Sequence, residues 1–225
     1  MTIRAIILSG GRSSRFGGVH KPGVELGGTS VISRILTAVR TADPAAEVWV
    51  AGPTEGLSQA ETESVHSVRE EPVFAGPLAG IAAAAFAMER TVGDTERNRD
   101  RDAGTAEGAS DASASNADDV TLVLAGDMPL ITAGHLGELV DVCRQTNSPV
   151  AGEDERGKAQ FLCSAWPHRL LLTRIEAIGD PANGAVRRLF DGLDPVLVDV
   201  DPTVVADFDT TEELAGIRPH FDDGI

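Results

Sequence analysis

Tyrosine is missing from this sequence altogether, and aromatic side chains make up only 4% of its 225 residues. Aliphatic packing must therefore carry the core. Cysteine is nearly as scarce: Cys143 and Cys163 stand alone, with no CxxC pair and no disulfide framework. Positive charge is in deficit, with 19 Lys and Arg against 35 Asp and Glu and a formal net charge of −16. Nucleic acid and anionic membranes repel such a surface, so neither is expected as a partner. No run approaches the ~20 apolar residues that span a bilayer. The N-terminus lacks a signal-peptide pattern, because glycines interrupt it after Leu8. A cytoplasmic protein is expected. The 42% hydrophobic share is ordinary for a globular chain, and this length suits one α/β domain spanning residues 1–225.

Short β-branched and aliphatic runs alternate with helical spacing. Arg4–Leu8, Glu47–Ala51, Ser64–Arg69 and Val120–Ala125 read as strands. Thr29 or Ser30 can cap a helix carrying Val31, Ile32, Ile35, Leu36 and Val39, and Thr132 can cap another. Residues 76–89, GPLAGIAAAAFAME, form a small-residue helix able to pack closely on a sheet. Further on, Gln160–Trp166 and Pro195–Val200 read as strands, Pro167–Ile178 and Asn183–Phe190 as helices, and Asp207–Ile217 ends in a capped helix. This alternation predicts a three-layer α/β/α fold of Rossmann-like form, with a mostly parallel sheet covered on both faces. Residues 91–119 lack Val, Ile, Leu and Phe after Val92. Such a segment cannot bury enough apolar area to offset its ordering entropy, so a disordered surface insertion is expected there.

In a parallel sheet, ligands bind outside the carboxyl ends of the strands. Two loops at those ends stand out. The first, SGGRSSRFGGVHKP (residues 9–22), follows a buried strand and gathers Arg12, Arg15 and Lys21 in an otherwise acidic protein. Glycines let the backbone approach a ligand, and N–H groups with Arg and Lys are what a polyphosphate needs. The spacing is neither the GxGxxG of dinucleotide folds nor a P-loop. GEDERGKA (152–159) comes near a P-loop, but Ala159 stands where Ser or Thr is required and three acids lie inside. The second loop, LAGDMPLIT (124–132), puts Asp127 where a carboxylate can hold a divalent metal between phosphate oxygens.

These residues resemble the molybdenum cofactor guanylyltransferases of the nucleotidyltransferase superfamily. LSGGRSSRFGGVHKP resembles their LAGGxSxRMGxDK signature, EPVFAGPLAGI their GPLAG motif, LAGDMPLI their metal motif, and DFDTTEEL (207–214) their closing NxNTPEDL. All four occur in family order and span the chain outside residues 91–119. The resemblance implies Mg²⁺-dependent transfer of GMP from GTP to molybdopterin, giving molybdopterin guanine dinucleotide and pyrophosphate. It implies that Arg15, Lys21 and Asp127 act in catalysis and that Leu8, Gly10, Gly11, Gly76 and Gly80 join them around the nucleotide. Asp127 and Asp209, with Asp207 less directly, would face Mg²⁺. By the same resemblance Arg156 and Lys158 fall in the segment that would face the pterin substrate, and Arg187 and Arg188 would touch that substrate's phosphate. A monomer that passes its product to molybdoenzymes or their chaperones is expected.

Two departures stand out. His20 replaces the family's Asp before Lys and reads as a solvated loop residue. Asp207 and Asp209 replace asparagines, while Thr210 with Glu213 fits a helix capping box. LSGG favours GTP, since the guanine enzymes carry LAGG and the cytosine enzymes LAAG. Alternatives are a cytidylyltransferase, a sugar-phosphate nucleotidyltransferase and a non-catalytic GTP-binding adaptor.

Overall fold

The computed structural model describes residues 2–11, 18–102, 119–153 and 157–222. Arg12, Arg15, Arg156 and residues 103–118 of the expected insertion therefore lie outside the described residues. The first strand, β1 (Ile3–Leu8), is buried along its whole length. A strand apolar on both faces belongs in the middle of a covered sheet, and β1 pairs in parallel with β4 (Glu47–Ala51) on one side and β6 (Val120–Ala125) on the other. Between β1 and β4 lie a two-strand ribbon, β2 (Glu25–Leu26) with β3 (Thr29–Ser30), and helix α1 (Val31–Ala42). The Ser30 hydroxyl caps α1 by accepting from the Ser33 N–H at 3.2 Å.

Past β4 come the short helix α2 (Gln59–Glu63), the edge strand β5 (His66–Val68) and the long α3 (Pro77–Asp102). After β6 follow α4 (Ala133–Thr146), capped by Thr132, then β7 (Val150–Glu153), β8 (Ala159–Pro167) and α5 (His168–Ile178). The chain continues through β9 (Val196–Asp199), α6 (Thr211–Ile217) and α7 (Pro219–Asp222). The strand order in the main sheet is β5-β4-β1-β6-β8-β7-β9. Only β8 runs against its neighbours, so the sheet is mostly parallel as expected. Side chains of successive residues point to opposite faces. Ala5, Ile7, Val48, Val50, Leu122 and Leu124 pack under α1, α4 and α6. Ile6, Leu8, Trp49, Ala51 and Val123 pack under α3 and α5. The result is the three-layer fold.

Three expectations need correction. Helix α3 runs on through residues 91–102, where composition predicts disorder. Each residue added to an existing helix gains one backbone hydrogen bond for one residue fixed, so the Ala-rich start propagates without apolar anchors. Asn183–Phe190 forms only a single 3-10 turn over Val186–Leu189. Asn183 adopts a left-handed backbone (φ 54°), and the Arg174 guanidinium takes the Leu189 and Asp191 carbonyls instead. Strand β7 was not expected, because four residues containing a glycine give little periodic signal. Cys143 and Cys163 are buried and unpaired, and burial pushes both thiols up to about 12. No described helix is long and apolar enough to cross a membrane.

At the amino ends of the strands lies a buried polar network. The Arg4 guanidinium donates to Asp119 at 2.7 Å, and Asp119 also accepts the Thr2 N–H at 2.8 Å. His168 donates its backbone N–H to the Asp119 backbone carbonyl, while its ring bonds Thr121 at 2.8 Å and Glu89 of α3 at 3.0 Å. Removing one partner of a buried pair costs about 3–5 kcal/mol, and here Arg4 would keep only its 3.5 Å contact to the half-exposed Glu47. Asp119→Ala is expected to lower the melting temperature by roughly 6–20 °C on the scaling for chains of this size, with activity per folded molecule unchanged. Differential scanning calorimetry beside an activity assay checks this.

Candidate active site

The carboxyl ends of β4, β1 and β6 stand side by side, and the chain turns there through its glycine-rich segments. Ser9 follows β1 and is tied to the end of β4. Its N–H and that of Gly10 both donate to the Ala51 carbonyl, and its hydroxyl donates to the Pro53 carbonyl at 2.5 Å. Gly52 has φ 125°, and a Cβ there would come within 2.5 Å of the Gly10 nitrogen. Gly126 is tighter still, since a Cβ would sit 2.4 Å from the Leu8 carbonyl oxygen. Only glycine lets β6 end close enough to β1 to carry Asp127 into the site.

The same ends hold the expected charged groups. Pro22 is buried in a 3-10 turn over Lys21–Gly23, which fixes the root of the Lys21 side chain. The Lys21 ammonium then donates to Asp127 at 3.3 Å and to Asp209 at 2.5 Å. Phe208, fully buried, anchors the DFD segment between its two acids, and its ring centroid lies 5.7 Å from Lys21 Nζ. Thr210 and Glu213 do form the capping box that starts α6. Burial alone would lower the Lys21 pKa, but the hydrogen bond to Asp209 and the charge of Asp127 outweigh it and raise the pKa. Asp127 is pushed up mainly by burial and also by Asp207, with Lys21 pulling the other way. Asp207 is raised by desolvation and by its neighbour Asp209.

Beside this cluster lies a small cleft of about 170 Å³ lined by Leu8, Gly10, Gly11, Ala51, Glu70, Phe74, Gly76, Pro77 and Gly80. Leu8, Gly10, Gly11, Gly76 and Gly80 were all expected around a nucleotide. The volume is below the ~300 Å³ of a typical ligand pocket, so it suits one part of a ligand while the remainder lies along the loop. Gly80 also serves packing, as a Cβ there would press on Leu8 and Ala51. Sequence reasoning missed Glu70 and Phe74. The Glu70 carboxylate is 9% exposed and accepts the Phe74 N–H at 3.0 Å. Asn183 was missed too; its N–H donates to the Ala75 carbonyl at 2.6 Å, docking its loop on the GPLAG segment. Arg188 lies against Gly184 in the same loop, and none of Arg187, Arg188 and Lys158 is among the described residues lining the cleft.

His20 also departs from expectation. Its ring is half-buried, and Nε2 lies 2.9 Å from the Ser9 carbonyl oxygen, so that nitrogen donates. It ties the segment before Lys21 back to the end of β1 and is no solvated side chain.

Residues 5–196 match the MobA-like NTP transferase domain. The chain belongs to that family. It is accordingly a nucleotidyltransferase domain. Solved structures share the fold over nearly the whole chain. A nucleotidyl transferase from Methanothermobacter is 22% identical, with a TM-score of 0.62 over 98% of this chain and 97% of that one. Molybdopterin-guanine dinucleotide biosynthesis protein A from Archaeoglobus fulgidus is 17% identical, with a TM-score of 0.61 over 96% and 97%. A 2-C-methyl-D-erythritol 4-phosphate cytidylyltransferase from Thermus thermophilus is 15% identical, with a TM-score of 0.62 over 98% and 99%. No curated protein matches the sequence.

A carboxylate with a raised pKa keeps its proton in the folded chain at a pH where the unfolded chain has released it. Stability therefore falls as pH rises from about 3.8 through the raised value, and the penalty stays above it. Asp207→Asn is expected to raise the melting temperature at pH 7 and to flatten this decline. Melting curves of ligand-free protein from pH 4 to pH 8 check it; a lower melting temperature at pH 7 would contradict it.

Proposed function

We propose that this protein transfers GMP from GTP to the terminal phosphate of molybdopterin, yielding molybdopterin guanine dinucleotide and pyrophosphate. The observation that carries the guanine assignment is Glu70 in the wall of the cleft. An ionised carboxylate only accepts hydrogen bonds. Guanine offers N1–H and its N2 amino group side by side. Adenine and cytosine place an acceptor ring nitrogen beside their amino group, and a carboxylate repels it. The LSGG segment and the likeness to the Archaeoglobus protein support the same reading.

In this reading the cleft takes the base, and the triphosphate lies along Gly10 and Gly11 with Lys21 and Arg15 as its cations. The role of Arg15 rests on the sequence resemblance. An oxygen of the acceptor phosphate attacks the α-phosphorus of GTP, and the bond to the β-phosphate oxygen breaks to release pyrophosphate. No covalent residue is needed. The work is alignment and charge neutralisation. Asp127 and Asp209 fit Mg²⁺: two hard carboxylates already converge on one cation, the Lys21 ammonium, and Mg²⁺ is commonly held by one or two carboxylates plus substrate phosphates. Bound there, the metal neutralises polyphosphate charge. Arg187 and Arg188 follow the Asn183–Gly184 turn that docks on the GPLAG segment, and their role toward the second substrate's phosphate rests on the sequence resemblance.

GTP with Mg²⁺ at about 100 times its Kd is expected to stabilise the fold by ~2.7 kcal/mol, which is roughly 5–10 °C in melting temperature. CTP and ATP at the same concentration should give smaller shifts, and a larger shift with CTP would move the assignment to a cytidylyltransferase. With molybdopterin as acceptor, Lys21→Ala should slow pyrophosphate release about 10²–10³-fold. Asp127→Ala should abolish the Mg²⁺-dependent reaction while leaving the chain folded. Tight GTP binding without pyrophosphate release by the wild type would instead identify a binding adaptor.

A further inference from the structure

Phe74 sits in a backbone conformation that its side chain disfavours. Its φ is 65°, in the left-handed region where a bulky residue is a genuine outlier. Three contacts enforce it. The Glu70 carboxylate takes the Phe74 N–H at 3.0 Å, the Ala75 N–H donates to the Pro72 carbonyl at 3.2 Å, and the Ala75 carbonyl accepts from Asn183 at 2.6 Å. A glycine would meet the same backbone demand without strain. What phenylalanine adds is its ring. It is 52% exposed and forms one wall of the cleft that holds Glu70. Strained residues persist where surrounding structure over-determines them, and they gather at ligand clamps.

We infer that the phenyl ring of Phe74 stacks on the face of the nucleobase while Glu70 holds its edge, so that Phe74 sets nucleotide affinity. The inference rests on the nucleotide reading above and deepens it. The two residues form one unit: Glu70 reads the base through one carboxylate and, by the same carboxylate, fixes the backbone that presents the ring. Stacking is indifferent to which base is bound, because every base has a π-face. Phe74 therefore governs how tightly a nucleotide is held, and Glu70 governs which one.

Calorimetric titration of the full chain with GTP and Mg²⁺ tests this. Phe74→Ala should weaken binding by about tenfold or more, the range found when a base loses its aromatic partner. Phe74→Gly should bind equally weakly, yet melt at a higher temperature without ligand because the backbone strain is gone. Phe74→Trp should restore affinity. Its fluorescence should be quenched on adding GTP, and is readable because Trp49 and Trp166 are both buried. If Phe74→Ala binds GTP as tightly as the wild type, stacking is overturned and the nucleotide assignment stands. If the wild type binds none of the four ribonucleoside triphosphates, the nucleotide assignment falls and takes the inference with it.

Discussion

Parallel pairing of β1 with β4 and with β6 puts three carboxyl ends in one row, and every feature of the site hangs from that row. The strands must lie close there, and they do so because Gly52 and Gly126 bring no Cβ into the gap. Lys21 then meets acids that lie 106 and 188 positions away in the chain. No local rule links those residues. Chain direction in the sheet does it.

The site carries more negative than positive charge among its described residues, with Asp127, Asp207 and Asp209 around Lys21. Burial and mutual repulsion hold Asp127 and Asp207 above their ordinary pKa values. Such a cluster costs stability in the ligand-free protein. Phe74 shows the same tendency in backbone form, with a disfavoured conformation kept at the cleft.

Sequence patterns revealed the central strands and the helices with strong apolar spacing, including β6 to the residue. Composition at strand ends points to Gly10, Gly11, Lys21 and Asp127, because it is a physical signal for phosphate chemistry, while Asp209, Gly76 and Gly80 come only from the family resemblance. Other features left no such trace. Glu70 lies among other polar residues, and only the fold shows its carboxylate turned to the Phe74 amide. His20 looks like any loop histidine until the Ser9 carbonyl comes within reach. The extension of α3 was hidden for the opposite reason. Its sequence after Val92 has no Val, Ile, Leu or Phe, so apolar spacing is silent, and helix continuation alone decides.

The strands of this sheet divide two kinds of duty between their ends. Six residues of β1, roughly 20 Å of extended chain, separate the Arg4–Asp119 network from the row of glycines and acids. Substitutions around Thr2, Asp119 and His168 bear on stability, while the opposite edge bears on stability and on the substrate together. Related enzymes that differ in heat tolerance are therefore expected to diverge first at the amino ends of the strands, and those that differ in chemistry at the carboxyl ends.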